Sequence, residues 1–308
     1  MSESATAGFK SGFVSILGRP NSGKSTLLNA LAGMKLAIVA SKPQTTRTSI
    51  QAVLNLPGAQ IVFLDTPGIH KPDTLINRRM LQTVRAALDQ RDLLLYVVDA
   101  SSHYSQQDAE ALQVVTIVRT PVLLLLNKVD RLKDKGRVLK LIEQYKSLHD
   151  FADYIPLSAL TGEGLDTLRA EIVRRLAQGP AFYPPDYITD QPERFLATEL
   201  VREKVLHWTR DEVPHAVAVA IEQWQETDRL TRIAAVIYVE RAGQKGIIIG
   251  SGGEMLKKIG TEARLGIEQM LGRKVFLELF VKVKPGWRDD PRFLDAVDWR
   301  SMSGGEVD

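Results

Sequence analysis

Four short segments of this chain carry residue types that can hold a phosphorylated ligand, and each follows an apolar run. Gly18-Arg19-Pro20-Asn21-Ser22-Gly23-Lys24-Ser25 fits G-x-x-x-x-G-K-[ST], with an apolar stretch before it and a helix signal from Ser25 and Thr26 onward. Glycines let backbone N–H groups converge on phosphate oxygens, and the helix start adds a positive dipole end. Lys24 is placed to reach the β- and γ-phosphates, and the Ser25 hydroxyl to bind Mg²⁺. Asp65-Thr66-Pro67-Gly68 emerges at the end of an apolar strand, where open α/β sheets bind ligands. Asp65 can hold the magnesium, directly or through water. Gly68 can bring its N–H against a γ-phosphate because no side chain intervenes.

Asn127-Lys128-Val129-Asp130 also follows a strand. A carboxylate at Asp130 can accept hydrogen bonds from N1–H and the exocyclic amine of guanine. Adenine has no such pair of donors and would leave the carboxylate buried and unpaired. Asn127 would tie this loop to the phosphate loop, and the Lys128 stem would cover the base. Ser158-Ala159-Leu160 follows the next strand and can offer a backbone N–H to the guanine O6. By itself that segment is an ordinary loop leading into a helix.

The elements that must position these segments alternate. Strand signals cover Phe13–Leu17, Ser49–Leu56, Gln60–Leu64, Leu93–Val98, Val122–Leu126 and the vicinity of Tyr154–Leu157. Helix signals cover Ser25–Leu31, Asn77–Leu88, Gln106–Val118, about 133–148 and Gly164–Ala177, and Pro57-Gly58 reads as a hairpin turn. Strands alternating with helices predict a mostly parallel sheet covered on both faces. Residues 33–48 lack a clean period and read as a mobile loop. The chain of 308 residues is long enough for two domains. Prolines at 180, 184, 185 and 192 mark 179–192 as the linker between them.

Beyond it a second, α+β unit is expected: a helix over Glu193–Thr209, strands over Ala216–Trp224 and Ile233–Glu240, a helix over Glu254–Leu271 and a strand over Val275–Val283. Gly250-Ser251-Gly252-Gly253 lies between Lys245-Gly246-Ile247-Ile248-Ile249 and the helix start Glu254-Met255-Leu256-Lys257-Lys258. A G-x-x-G loop between two helices brings N–H groups to a nucleic-acid backbone, beside an apolar groove for about four bases. The net charge of +3 is too small to indicate nucleic acid, but residues 245–288 hold nine Lys/Arg against four acids. Ile247–Ile249 can line the groove or fill the core, mostly the latter. Trp224 reads as core packing and Trp287 as a capping contact. The absence of cysteine excludes disulfides, thiolate metal sites and cysteine nucleophiles. No apolar run reaches membrane-spanning length, and Met1–Gly8 lacks the regions of a signal peptide, so a soluble protein is expected.

Taken together, the four segments over about 10–178 resemble the GTPases of the translation-factor superclass. That resemblance implies binding of GTP and GDP with Mg²⁺ held by Ser25, Asp65 and a threonine of Pro43-Gln44-Thr45-Thr46-Arg47. It favours Thr46 for closing on the metal, with Thr45 the alternative. Ile69 stands where many relatives place a water-orienting glutamine, which implies slow hydrolysis by the protein alone. In similar GTPases an asparagine at the position of Asn21 helps bind K⁺; ordering the loop is its other reading. The implied catalytic set is Lys24, Thr46, Gly68 and Asn21, within a nucleotide-binding set of Gly18–Thr26, Asp65–Gly68, Asn127, Lys128, Asp130 and Ser158–Leu160.

The second unit resembles a KH domain in its prokaryotic, type II arrangement, with Lys245, Gly246, Ile249, Gly250, Ser251, Gly252, Gly253, Lys257 and Lys258 as RNA contacts. One GTPase domain (10–178) followed by one KH domain (193–288), flanked by tails 1–9 and 289–308, is similar to the Era family. The segment 193–218 resembles the stretch joining those domains there. Membership would imply a bacterial GTPase that binds the 3′ end of 16S ribosomal RNA and assists 30S assembly. It would also imply a monomer in the cytoplasm, with peripheral membrane association. The alternative is a GTP-gated RNA-binding scaffold with incidental hydrolysis. The related Der family has two GTPase domains, and only one phosphate loop occurs here.

Overall fold

The computed structural model describes residues 8–40, 42, 45–68, 73–89 and 91–298. Pro43, Gln44, Ile69, most of the N-terminal tail and residues 299–308 lie outside them. The first compact unit is built from residues 1–37, 46–71 and 80–190, the second from 38–45, 72–79 and 191–308.

The first unit is a six-stranded sheet. Its strands are β1 (Lys10–Leu17), β2 (Ile50–Leu56), β3 (Ala59–Asp65), β4 (Leu93–Asp99), β5 (Val122–Asn127) and β6 (Asp153–Pro156). The spatial order is β2-β3-β1-β4-β5-β6, with β2 antiparallel to β3 and every other pairing parallel. The Pro57-Gly58 turn supplies that one reversal, and Gly58 adopts φ +77° there. Strands β4 and β5 are buried almost throughout, as two-sided parallel strands must be. Helices α1 (Lys24–Ala32) and α5 (Leu165–Arg175) cover one face through Leu27, Leu28, Leu31, Leu168 and Ile172. Helices α3 (Gln106–Thr116) and α4 (Gly136–Lys146) cover the other through Ala111, Leu112, Val115, Leu141 and Tyr145. Helix α2 spans Leu75–Asp89, and its residues from Met80 onward belong to this unit.

The proline-rich stretch after α5 is fastened rather than loose. Gln60 accepts from the amides of Phe182 and Tyr183 and donates to the Tyr183 carbonyl. The Val53 amide donates to the Ile188 carbonyl, Asn55 to the Pro185 carbonyl and the Thr189 hydroxyl to the Gln51 carbonyl. Residues 185–189 thus lie along β2, the edge of the sheet, while Phe182 and Tyr183 are held by Gln60 of β3.

In the second unit α6 (Glu193–Trp208), β7 (Ala218–Glu226), β8 (Leu230–Val239), α7 (Ala242–Ile249), α8 (Glu254–Leu271) and β9 (Lys274–Val283) follow in that order. The sheet runs β7-β8-β9, with β8 and β9 parallel. Helices α6 and α8 close one face through Val201, Val205, Ile259, Ala263 and Ile267. The C-terminal tail adds a short helix, α9 (Pro291–Ala296). Trp287 is fully buried, with its indole N–H donating to the Ala216 carbonyl, and Trp224 is half-buried.

Candidate nucleotide and RNA sites

The phosphate loop, the Asp65 segment and the Asn127 segment all leave the sheet at strand C-terminal ends, on β1, β3 and β5, so parallel pairing brings them to one edge. Asn127 is the knot. Its Nδ2 donates to the Ser22 carbonyl at 2.9 Å, while its Oδ1 accepts from the amides of Lys128 and Ala159 at 2.8 and 3.0 Å. One buried side chain therefore binds the phosphate loop to both base-side loops. Gly23 makes the approach feasible: its φ is +101°, and a Cβ there would stand 2.2 Å from Asn127 Nδ2.

Asp130 is exposed, with its carboxylate braced by the Ser158 hydroxyl at 2.6 Å. Ser158 and Ala159 are buried, whereas Leu160 is exposed. Lys128, with φ +68°, reaches back so that its ammonium meets the Asn21 carbonyl and Asp99 Oδ2, both at 2.6 Å. Asp99 ends β4, the strand between those that carry the two loops, and also lies 3.8 Å from Arg19. Arg19 in turn pairs with Asp108 at 2.9 Å, in the capping box that opens α3. Sequence reasoning misses both Asp99 and Asp108. Their signals are a carboxylate at the end of an apolar strand and an S-x-x-D helix start.

Lys24 is buried and donates to the Gly18 and Arg19 carbonyls, each at 3.0 Å. Burial pushes its ammonium down from 10.5 to about 8, against the opposing pull of Asp65. Across from it, the Ser25 and Thr46 hydroxyls stand 2.8 Å apart and lie 3.1 and 3.5 Å from Asp65 Oδ2. Thr45 turns its hydroxyl instead to the Lys42 and Ala40 carbonyls. Burial lifts Asp65 from 3.8 to about 6, although Lys24, Ser25 and Thr46 pull the other way. Its Oδ1 is buried without a hydrogen-bond partner, as is the Ser22 hydroxyl. A carboxylate held uncomfortably between two hydroxyls is a hard-oxygen set that suits Mg²⁺, with the nucleotide left to supply further oxygens. Gly68 packs against Pro20, where a Cβ would meet its ring at 3.0 Å. Thr66 and Pro67 are buried, the Thr66 hydroxyl donating to the Ile16 carbonyl; Thr26 is half-buried in α1.

In the second unit Gly250–Gly253 forms a tight turn between α7 and α8, with Gly252 at φ +58° and no atom within 4 Å of a Cβ built there. A groove of about 400 Å³ lies beside it, lined by Gly253, Leu256, Lys257 and Arg264 of the α8 side and by Leu277 and Leu279 of β9. Gly253 and Lys257 therefore meet at the groove, while Ile247–Ile249 are not among its lining residues: Ile248 is fully buried in the core and Ile247 is half exposed. Lys258 points elsewhere, its ammonium 3.3 Å from the centre of the Trp208 ring. Lys245, Gly246, Gly250, Ser251 and Gly252 lie on the α7 side and in the turn itself. The contribution of β9 escapes sequence reading because Leu277 and Leu279 look like any inward positions of an alternating strand.

Similarity to known proteins falls on the same two units. Residues 13–128 match the family described as 50S ribosome-binding GTPase, and residues 212–288 match the KH domain. The chain is 52% identical over 294 residues to a GTPase Era of Geobacter metallireducens, covering 94% of this chain and 98% of that one. It is 46% identical to a GTPase Era of Ruminiclostridium cellulolyticum, with 95% and 98% covered. Among solved structures, that of an Aquifex aeolicus Era point variant bound to GDP·AlF4⁻ superposes with TM-score 0.91 at 40% identity, over 94% of this chain and 99% of that one. An Era in complex with MgGDPNP and nucleotides 1506–1542 of 16S ribosomal RNA matches equally, with TM-score 0.91 and 40% identity over the same shares.

Proposed function

Since this chain belongs to the Era family of GTPases, we propose that it binds and hydrolyses GTP and grips the 3′ end of 16S ribosomal RNA to assist 30S assembly. The observation that carries the nucleotide half is the Asn127 knot, which ties the phosphate loop at Ser22 to the loop at Ala159, whose neighbour Ser158 braces the Asp130 carboxylate. Preorganised donors of this kind need not rearrange when ligand arrives.

Each residue then has a task. Lys24 transfers its hydrogen bonds from the loop carbonyls to the phosphates, whose charge restores the protonation that burial opposes. Ser25, Thr46 and Asp65 would hold Mg²⁺, which when bound neutralises charge on the β- and γ-phosphate oxygens. The Gly68 amide donates to a γ-phosphate oxygen, and Asp130 reads guanine. Asn21, at φ +62° and exposed in the loop, is the residue we assign to K⁺. RNA lies with its backbone on the Gly250–Gly253 turn and about four bases along Leu256, Leu277 and Leu279. We assign the protein to the cytoplasm as a monomer, with peripheral contact at the membrane; among the described residues no helix is long and apolar enough to cross one.

Single-turnover hydrolysis, with and without K⁺ and an RNA carrying the 16S 3′ end, tests the reading. The expected result is slow turnover that either addition accelerates. No hydrolysis under any condition would leave a GTP-gated RNA scaffold instead.

A further inference from the structure

A cavity of about 630 Å³ opens on the first unit between the turn that follows β4 and the start of α4. That volume is within the range of ligand clefts. No residue of the phosphate loop or of Asn127–Asp130 lines it. Its apolar wall is Tyr104, Leu132 and Leu141, and its polar wall carries Arg131, Lys133, Arg137 and Lys140. The carboxylate among the lining residues, Asp134, is already engaged by the Gly136 amide at 2.8 Å. Four cations therefore face one occupied anion across a concave surface.

We infer that this cleft is a second RNA contact, separate from the KH groove, which takes the phosphodiester backbone of a strand and lays a base against Tyr104. This rests on the reading that the protein binds RNA. A polyanion fits better than a small anion because Arg131, Lys133, Arg137 and Lys140 are spread from the loop into the second turn of α4. RNA fits better than an acidic peptide because the wall behind the cations offers a half-buried tyrosine ring, the kind of platform on which bases stack. The cleft also touches the nucleotide site. Arg137 donates to the Ser102 carbonyl at 2.8 Å, and the Ser102 hydroxyl accepts from Arg19 of the phosphate loop. A phosphate that draws Arg137 away would thus loosen a contact of Arg19.

The test is the full chain carrying Lys133→Ala and Lys140→Ala, with two RNAs: a hexanucleotide sized to the KH groove and a 40-nucleotide single strand containing it. Losing two phosphate contacts should flatten the slope of log K against log salt by about 1.4 for the long RNA, a weakening of about 25-fold at 0.1 M salt. The hexanucleotide and GDP should bind as before, which also shows that the variant is folded. An unchanged salt slope for the long RNA would overturn the cleft. So would an equal loss for both RNAs, or displacement of the long RNA from the wild-type cleft by polyglutamate at matched charge. If the wild-type protein binds neither RNA, the RNA reading itself fails.

Discussion

Acid should strip magnesium from this protein well before it would protonate an ordinary carboxylate. Burial lifts Asp65 to about 6, so proton and metal compete for its oxygens near that pH. With one competing proton, metal affinity falls by the factor 1 + 10^(6 − pH), which is about 1 at pH 7.5, about 4 at pH 5.5 and about 11 at pH 5. A carboxyl left at 3.8 would change affinity by only about 6% at pH 5. Nearby phosphate charge pushes Asp65 further upward, so tenfold is the smaller end of the expectation. The nucleotide's own terminal phosphate titrates in the same range, and the Asp65→Asn variant provides the subtraction. Mg²⁺ would be titrated into the complex with a fluorescent GDP analogue at pH 7.5, 6.5, 5.5 and 5.0. The wild-type protein should lose about tenfold more affinity than Asp65→Asn across that range. At pH 6, calorimetry in buffers of different ionisation enthalpy should find about half a proton more released by the wild type. Parallel pH curves for the two proteins would refute the assignment of Asp65 to the metal.

Gly23→Ala should abolish tight nucleotide binding, because it combines a left-handed backbone with a Cβ 2.2 Å from Asn127 Nδ2; the strain alone costs about 1–2 kcal/mol, so at least a tenfold rise in the GDP Kd is expected. Asp99→Ala removes the shared partner of Lys128 and Arg19 and should speed GDP release about tenfold, as stopped-flow fluorescence would read, whereas Asp99→Glu should recover part of the loss. Gly252→Asp puts a carboxylate into open space on the turn to which we assign the RNA backbone. It should weaken hexanucleotide binding at least tenfold in a gel-shift or anisotropy assay while GTP affinity stays within twofold.

The sequence is most readable where spacing itself is the chemistry. The G-x-x-x-x-G-K-S run, D-x-x-G and N-K-x-D each sit at the end of an apolar strand, and parallel pairing then leaves few ways to arrange them. What cannot be read is pairing across loops. Nothing local to Asp99 indicates that it meets both Lys128 and Arg19, because its partners lie 29 and 80 positions away along the chain. Ile249 and Lys258 illustrate the converse. Both have the right residue type beside the G-x-x-G turn, yet helical phase turns Lys258 toward Trp208, and the groove is completed by a strand more than twenty residues later. The prolines of 180–192 correctly signal an absence of regular structure, but composition carries no information about what such a segment lies against.

That segment bears on colloidal behaviour. An open sheet has two rims, and an unpaired rim recruits strands from other molecules. Here the β2 rim is lined by residues 185–189 through Asn55, Val53 and Gln51. The opposite rim, β6, is only four residues long and carries Asp153 in an ion pair with Arg175. Both rims of the six-stranded sheet are thereby obstructed to a second copy, one by the chain's own strap and one by brevity and charge.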